Sequence, residues 1–187
     1  MKPLLFLFLS TSLASCCLVS SVDCNCEPPA PDLTPELIDW MKPYQETTMV
    51  ALTDPSGEID TLSIAFVADT EFCGGDECGS ECERRTAQLS FGNPPATLFV
   101  MAYENNNLQI RSDSPLLDYH AGSGSLWTSA GYEGEYSDDF SFGSDTLEAL
   151  QLFCTECGGQ PVRGLTISRT IGPIEWIDAD GILWKKL

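Results

Sequence analysis

GPIEWIDADGILWKKL (172–187) closes the chain, and its reading decides the fold. Two runs of alternating apolar and polar residues flank Asp180-Gly181, a dipeptide suited to the two central positions of a tight hairpin turn. With that pair at the turn, Ile177 faces Trp184, Glu175 faces Lys186, Trp176 faces Lys185 and Ile174 faces Leu187. The register offers an apolar pair, a charge pair and a cation–aromatic contact. The stretch reads as an antiparallel β-hairpin.

The same period of two recurs upstream. Leu165, Ile167 and Ile171 alternate with Thr166, Ser168 and Thr170, and residues 147–154 fit a strand or a short helix. Residues 49–53 and 58–67 flank Asp54-Pro55-Ser56-Gly57, a turn sequence at every position. In the second run Leu62, Ile64 and Phe66 face one way while Thr61, Ser63 and Ala65 face the other. Residues 97–103 are apolar on both faces, which predicts a central strand. Asn105, Asn106 and Asn107 predict a turn before the alternating residues 108–111. In residues 113–145, Trp127, Tyr132, Tyr136, Phe140 and Phe142 stand among glycines, serines and acids. Short twisted strands fit this better than a mobile aromatic lid. Residues 69–85 break the pattern and read as an acidic loop.

Ahead of the strands, Thr34-Pro35-Glu36 predicts a helix start with a capping hydroxyl, Leu37 and Met41 share one face, and Pro43 predicts its stop. There is no repeat and no strand–long-helix alternation. The expected fold is a mostly β, single antiparallel domain, barrel-like or a sandwich, with one short N-terminal helix. A hydrophobic content of 43% with 20% charged residues fits a globular chain. The ending, a Gly-Pro-Ile strand, D-x-D-G and an apolar-Trp strand, resembles the C-terminus of β-rich envelope lipoproteins of the Bacteroidota. That resemblance covers only the end of the chain and implies no activity.

The other end carries an address. MKPLLFLFLSTSLASCC (1–17) has a positive Lys2, an apolar run over 4–9, and Leu13-Ala14-Ser15-Cys16. This is the layout of a secretory signal. The run is too short for a permanent span, which needs about 20 residues. The segment resembles the lipobox of bacterial lipoproteins. The resemblance implies cleavage before Cys16 and acyl chains, palmitate among them, on Cys16. Residues 1–15 are then a signal peptide, 16–33 a lipidated tether stiffened by Pro28, Pro29 and Pro31, and 34–187 the β-rich domain. The expected location is the cell envelope, with the membrane as partner through the acyl chains. Cys17, where many inner-membrane lipoproteins carry aspartate, points to the outer membrane.

Charge narrows the other partners. Twenty-eight acids against nine Lys and Arg give a formal net charge of −19. Such a chain is repelled by nucleic-acid phosphates and anionic headgroups. Nucleic acid is therefore not expected. Divalent cations and basic surfaces are permitted, and the protein or small-molecule partner stays unidentified.

Nine cysteines supply the remaining chemistry. Besides Cys16, three lie in the tether (Cys17, Cys24, Cys26), and Cys73, Cys78, Cys82, Cys154 and Cys157 lie in the domain. An exported protein lives where disulfides persist, so staples are the favoured reading, with connectivity left open. Zinc held by Cys78, Cys82, Cys154 and Cys157 is a second reading. A redox pair Cys154–Cys157 is a third. Asp69, Glu71, Asp76, Glu77, Glu81 and Glu83 offer calcium ligands but lack the EF-hand order. No cofactor is expected, with zinc or calcium the alternatives. HExxH, GxSxG, GxGxxG and P-loop patterns are missing. His120 beside Asp118 and Tyr119 reads as a surface polar residue. The expected function is a non-enzymatic, lipid-anchored binding or structural module. A metal-binding module, a carboxylate hydrolase and a thiol oxidoreductase remain open.

Overall fold

One antiparallel sheet runs through the residues that the computed structural model describes: 33–73, 80–93, 95–103, 106–156 and 160–187, without the side chains of 71–73, 80 and 81. A helix, α1 (Pro35–Glu46), precedes it. The strands are β1 (Met49–Thr53), β2 (Ile59–Cys73), β3 (Ser80–Phe91), β4 (Ala96–Tyr103), β5 (Asn107–Arg111) and β6 (Pro115–His120). They continue as β7 (Ser125–Thr128), β8 (Tyr132–Phe142), β9 (Asp145–Cys154), β10 (Val162–Ser168), β11 (Gly172–Asp178) and β12 (Leu183–Lys186). The sheet order is β7-β6-β5-β4-β3-β2-β1-β12-β11-β10-β9-β8. Except for β7 and β8, each strand pairs with its sequence neighbours, and the β1–β12 ladder joins the first strand to the last. β7 and β8, the two edges, share no ladder among the described residues, so the sheet is nearly closed into a barrel.

The mostly β expectation holds, and the terminal hairpin is present with a different register. Glu175 pairs with Lys185, Trp176 with Trp184 and Ile177 with Leu183. The turn spans three residues, Ala179 to Gly181, rather than two. The Asp178 carboxylate accepts the backbone N–H of Asp180 at 3.0 Å and of Ile182 at 2.9 Å, and the indole N–H of Trp184 at 2.9 Å. Gly181 takes φ +83°, which closes the turn at no steric cost. The physical reason is burial. A one-residue slip turns every side chain to the other face, and the observed register puts both Trp176 and Trp184 inside. The β1–β2 turn repeats the device: Asp54 accepts from the amides of Ser56 and Glu58, and Gly57 sits at φ +88°.

The helix contributes a wholly buried face of Leu37, Trp40, Met41 and Tyr44, spaced i, i+3, i+4, i+7. It packs against β2, β3, β4 and β11, and the Trp40 ring meets Tyr119 of β6. It therefore lies across the concave side of the curled sheet and fills its interior. Three expectations change here. Pro43 does not stop the helix, which runs on to Glu46; burying Tyr44 offsets the backbone bond that Pro43 forfeits. The Thr34 hydroxyl caps nothing and is buried without a hydrogen bond among the described residues. Leu33, read as the end of the tether, belongs to the core.

The acidic stretch 69–85 is mostly strand. β2 extends to Cys73 and β3 begins at Ser80, with Asp69 opposite Arg84 and Thr70 opposite Glu83. Cross-strand charge pairing explains the error: Asp69 takes two bonds from Arg84, at 3.0 and 2.8 Å. Acids on an exposed hairpin look like loop composition when their partners are out of sight. Residues 113–145 are strands, and the aromatic lid is absent among them. The seam depends on Gly134 of β8. A Cβ there would stand 2.8 Å from Leu117 and Leu126 side-chain atoms and 2.9 Å from Thr128. The sheet's last strand thus lies on its first two through a missing side chain.

Candidate functional site

The outer wall formed by β4–β7 carries the site. Strand alternation sends Leu108 and Ile110 of β5 inward and Asn107 and Gln109 outward. On β6, Asp118 and His120 take the outward positions, and on β7 Ser125 and Trp127 do. Register then sets these in rows: Gln109 faces Asp118, which faces Trp127, while Tyr103 faces Asn107, which faces His120, which faces Ser125. A shallow pocket of about 300 Å³ is lined by Asn107, Asp118, His120, Ser125, Leu126 and Trp127.

Two features separate this pocket from ordinary surface. Trp127 is 57% exposed, and it is the one indole on the surface: Trp40, Trp176 and Trp184 are 0%, 1% and 7% exposed. Next to it the Asp118 carboxylate is fixed. Its Oδ2 accepts from the Tyr103 hydroxyl at 3.1 Å and from the Gln109 amide at 3.3 Å. Gln109 is itself 8% exposed, although it lies on the outer face. The arrangement holds Oδ2 in place on the strand position opposite Trp127, and no bond to Oδ1 is present among the described residues. Orienting an acceptor beforehand removes part of the ordering cost of binding.

His120 borders the pocket. Its Nδ1 lies 3.1 Å from the Ser123 hydroxyl, which is 2.8 Å from that of Ser125. Asp118 is engaged by Tyr103 and Gln109 instead of His120, so among the described residues no carboxylate orients the imidazole as in an acyl-transfer triad.

Other concave regions are explained by folding. At the barrel rim a cleft of about 380 Å³ is floored by Phe91, Trp176 and Trp184. Phe91 meets these two indoles at 5.7 and 5.1 Å between ring centroids, so β3 touches β11 and β12 across the intervening β1 and β2. Its Asp178 is used by its own turn. Near the seam, Tyr136 stacks on Tyr119 at 5.2 Å and donates to Glu148 at 3.0 Å, while Arg169 bridges Glu148 and Asp39. Burial, then the Glu148 bond, pushes the Tyr136 hydroxyl well above the ordinary tyrosine range. Burial, then the Glu36 and Glu148 charges, raises Tyr119. Both phenols therefore stay neutral, and Tyr136 serves as a structural donor.

The cysteine readings are only partly visible. Cys82 is buried in β3, Cys154 ends β9, and both are disulfide-bonded. Cys16, the signal and tether through residue 32, Cys78, Cys157 and the side chain of Cys73 lie outside the described residues, as do the acids Asp76 and Glu77. Of the calcium candidates, Asp69 pairs with Arg84 and Glu83 with Arg85. Among the described residues no group of three or more His, Cys, Asp or Glu is placed to hold a metal, and no helix is long and apolar enough to cross a membrane.

Tyr103, Gln109 and Asp118 were not singled out by sequence as a site. Their alternation marks them as outward, but their meeting depends on the registers of three ladders. The chain matches no known protein family, no curated protein and no solved structure.

Proposed function

We propose that this protein is a lipid-anchored module of the cell envelope, held in the outer membrane by acyl chains on Cys16, which binds its ligand on the outer wall at Trp127 and does no chemistry on it. The observation that carries this reading is the exposed Trp127 beside an Asp118 carboxylate fixed by Tyr103 and Gln109. Exposed aromatic surface flanked by a few oriented polar groups is the usual make-up of a recognition site. The bonded cysteines serve as staples in an oxidising compartment, pinning the β2–β3 arm and the end of β9.

The test is the intact mass of the protein extracted from its own membrane, with and without thiol alkylation, paired with an assay for hydrolysis. We expect an acylated Cys16, unreactive Cys82 and Cys154, and no turnover. An unacylated N-terminus would overturn the anchor, and a hydrolytic activity lost in Asp118→Asn would overturn the non-enzymatic reading.

A further inference from the structure

From the ladders we infer that the wall site takes a neutral glycan chain, laid across the strands from Trp127 towards β2. This rests on the binding-module reading and names its ligand class.

The pairings align one outward residue per strand: Trp127, Asp118, Gln109, Met101, Thr86 and Val67 on β7 to β2 in turn. Strands lie about 4.8 Å apart, so this row is about 24 Å long. It begins at the exposed indole and ends at Val67, 53% exposed. It is therefore much longer than the pocket in which it starts, and a chain-like ligand fits it better than a compact one.

Charge selects the chemistry. From Met49 on β1 to Met101 on β4, the outward positions as far as Val67 and Thr86 carry Ser, Thr, Gln, Ala and apolar residues and no acid, the next outward pair along these strands being Asp69 with Arg84. In a chain with 28 acids that is a marked segregation. An anionic polymer would be repelled by the rest of the surface, and a cationic one would find a single carboxylate on the row, Asp118 near its start, and no acid from Gln109 to Val67. A neutral, hydroxyl-rich chain matches both parts. The C–H face of a sugar ring packs on the flat apolar body of Trp127. Its hydroxyls donate to the unengaged Asp118 oxygen and exchange bonds with Asn107, His120 and Thr86. Phe99, half-buried in the row beside Met101, adds a second aromatic surface.

The experiment uses the acylated full-length protein in detergent, with neutral oligomers of glucose and of N-acetylglucosamine, β-1,4- or α-1,4-linked, from two to six units. Only Trp127 is open to acrylamide, so ligand protection of the quenchable emission reports this site. One of these series should protect Trp127, with affinity rising at least about tenfold, or 1.4 kcal/mol, from two units to five. Thr86→Arg, which blocks the middle of the row, should lose that gain, keep the two-unit affinity and melt as the parent does. Equal affinity at all lengths would overturn the chain-like ligand. Acylated protein that no neutral oligomer protects would overturn the glycan while leaving the anchored module standing. Self-association abolished by Thr86→Arg would instead assign the face to a second copy. Should Thr86→Arg not fold, the length series on the parent protein decides.

Discussion

Trp184 and Trp127 are both strand residues in four-residue strands, yet they do opposite work. Trp184 faces inward, touches Phe91, and spends its indole N–H on Asp178 of its own hairpin turn. Trp127 faces outward with over half its surface in water. The difference lies in register alone, since alternation makes inward and outward positions equivalent until a ladder assigns them. An indole in the core is held by folding, whereas an indole left in water next to an oriented carboxylate has no folding reason to be there.

Truncation should separate the two most sharply. Trp176→Ala, at the fully buried partner of Trp184, should cost about 3–5 kcal/mol in denaturant unfolding, as large core deletions do. Trp127→Ala should stay within about 0.5 kcal/mol of the parent, as surface changes do, while abolishing quenchable emission. A Trp127→Ala loss comparable to that of Trp176→Ala would make the outer indole structural and remove the basis of the site.

How much of this was legible in advance follows the same line. The hairpin over 172–187 was readable because Trp176, Ile177, Leu183 and Trp184 bracket an Asp-Gly pair. Its register was not, because the three-residue turn is chosen by what Asp178 accepts and by the need to bury two indoles together. Leu62, Ile64 and Phe66 were readable as one face from alternation. Asp69 and Glu83 were misread because their partners, Arg84 and Arg85, convert loop-like composition into strand. The site was the least legible part. Tyr103, Gln109 and Asp118 come from three strands, and only their pairing puts a buried amide and a phenol on one carboxylate oxygen.

The next contrast lies at the seam. Gly134 leaves room for Leu117, Leu126 and Thr128, so the edge strands overlap without a ladder. Gly134→Val should force these apart and destabilise the protein by about 1–3 kcal/mol, the cost of overpacking. Gly143→Val is not an equivalent control, because Gly143 has φ +61° and strains any side chain. Ser141→Val on the same strand, exposed and clear of the seam, is the better one. Equal effects at 134 and 141 would mean that the seam adds little to closure.

The smallest effect should come from the arm that leaves the barrel. Arg84's hydrogen bonds to Asp69, with its charge, outweigh partial desolvation and hold the Asp69 carboxyl below the ordinary carboxylate range. A carboxyl whose folded value is depressed binds protons more readily when unfolded. Its contribution is therefore present above the unfolded value, about 4, and is lost as pH falls through the lower folded one. Asp69→Asn removes that titration. Relative to the parent, it should be less stable at neutral pH and converge with it in strong acid, by urea midpoints at matched ionic strength. The gap should be small and shrink with added salt, because the pair is exposed to solvent. A gap that persists unchanged into acid would show that Asp69 acts through its shape in the β2–β3 ladder and not through its charge.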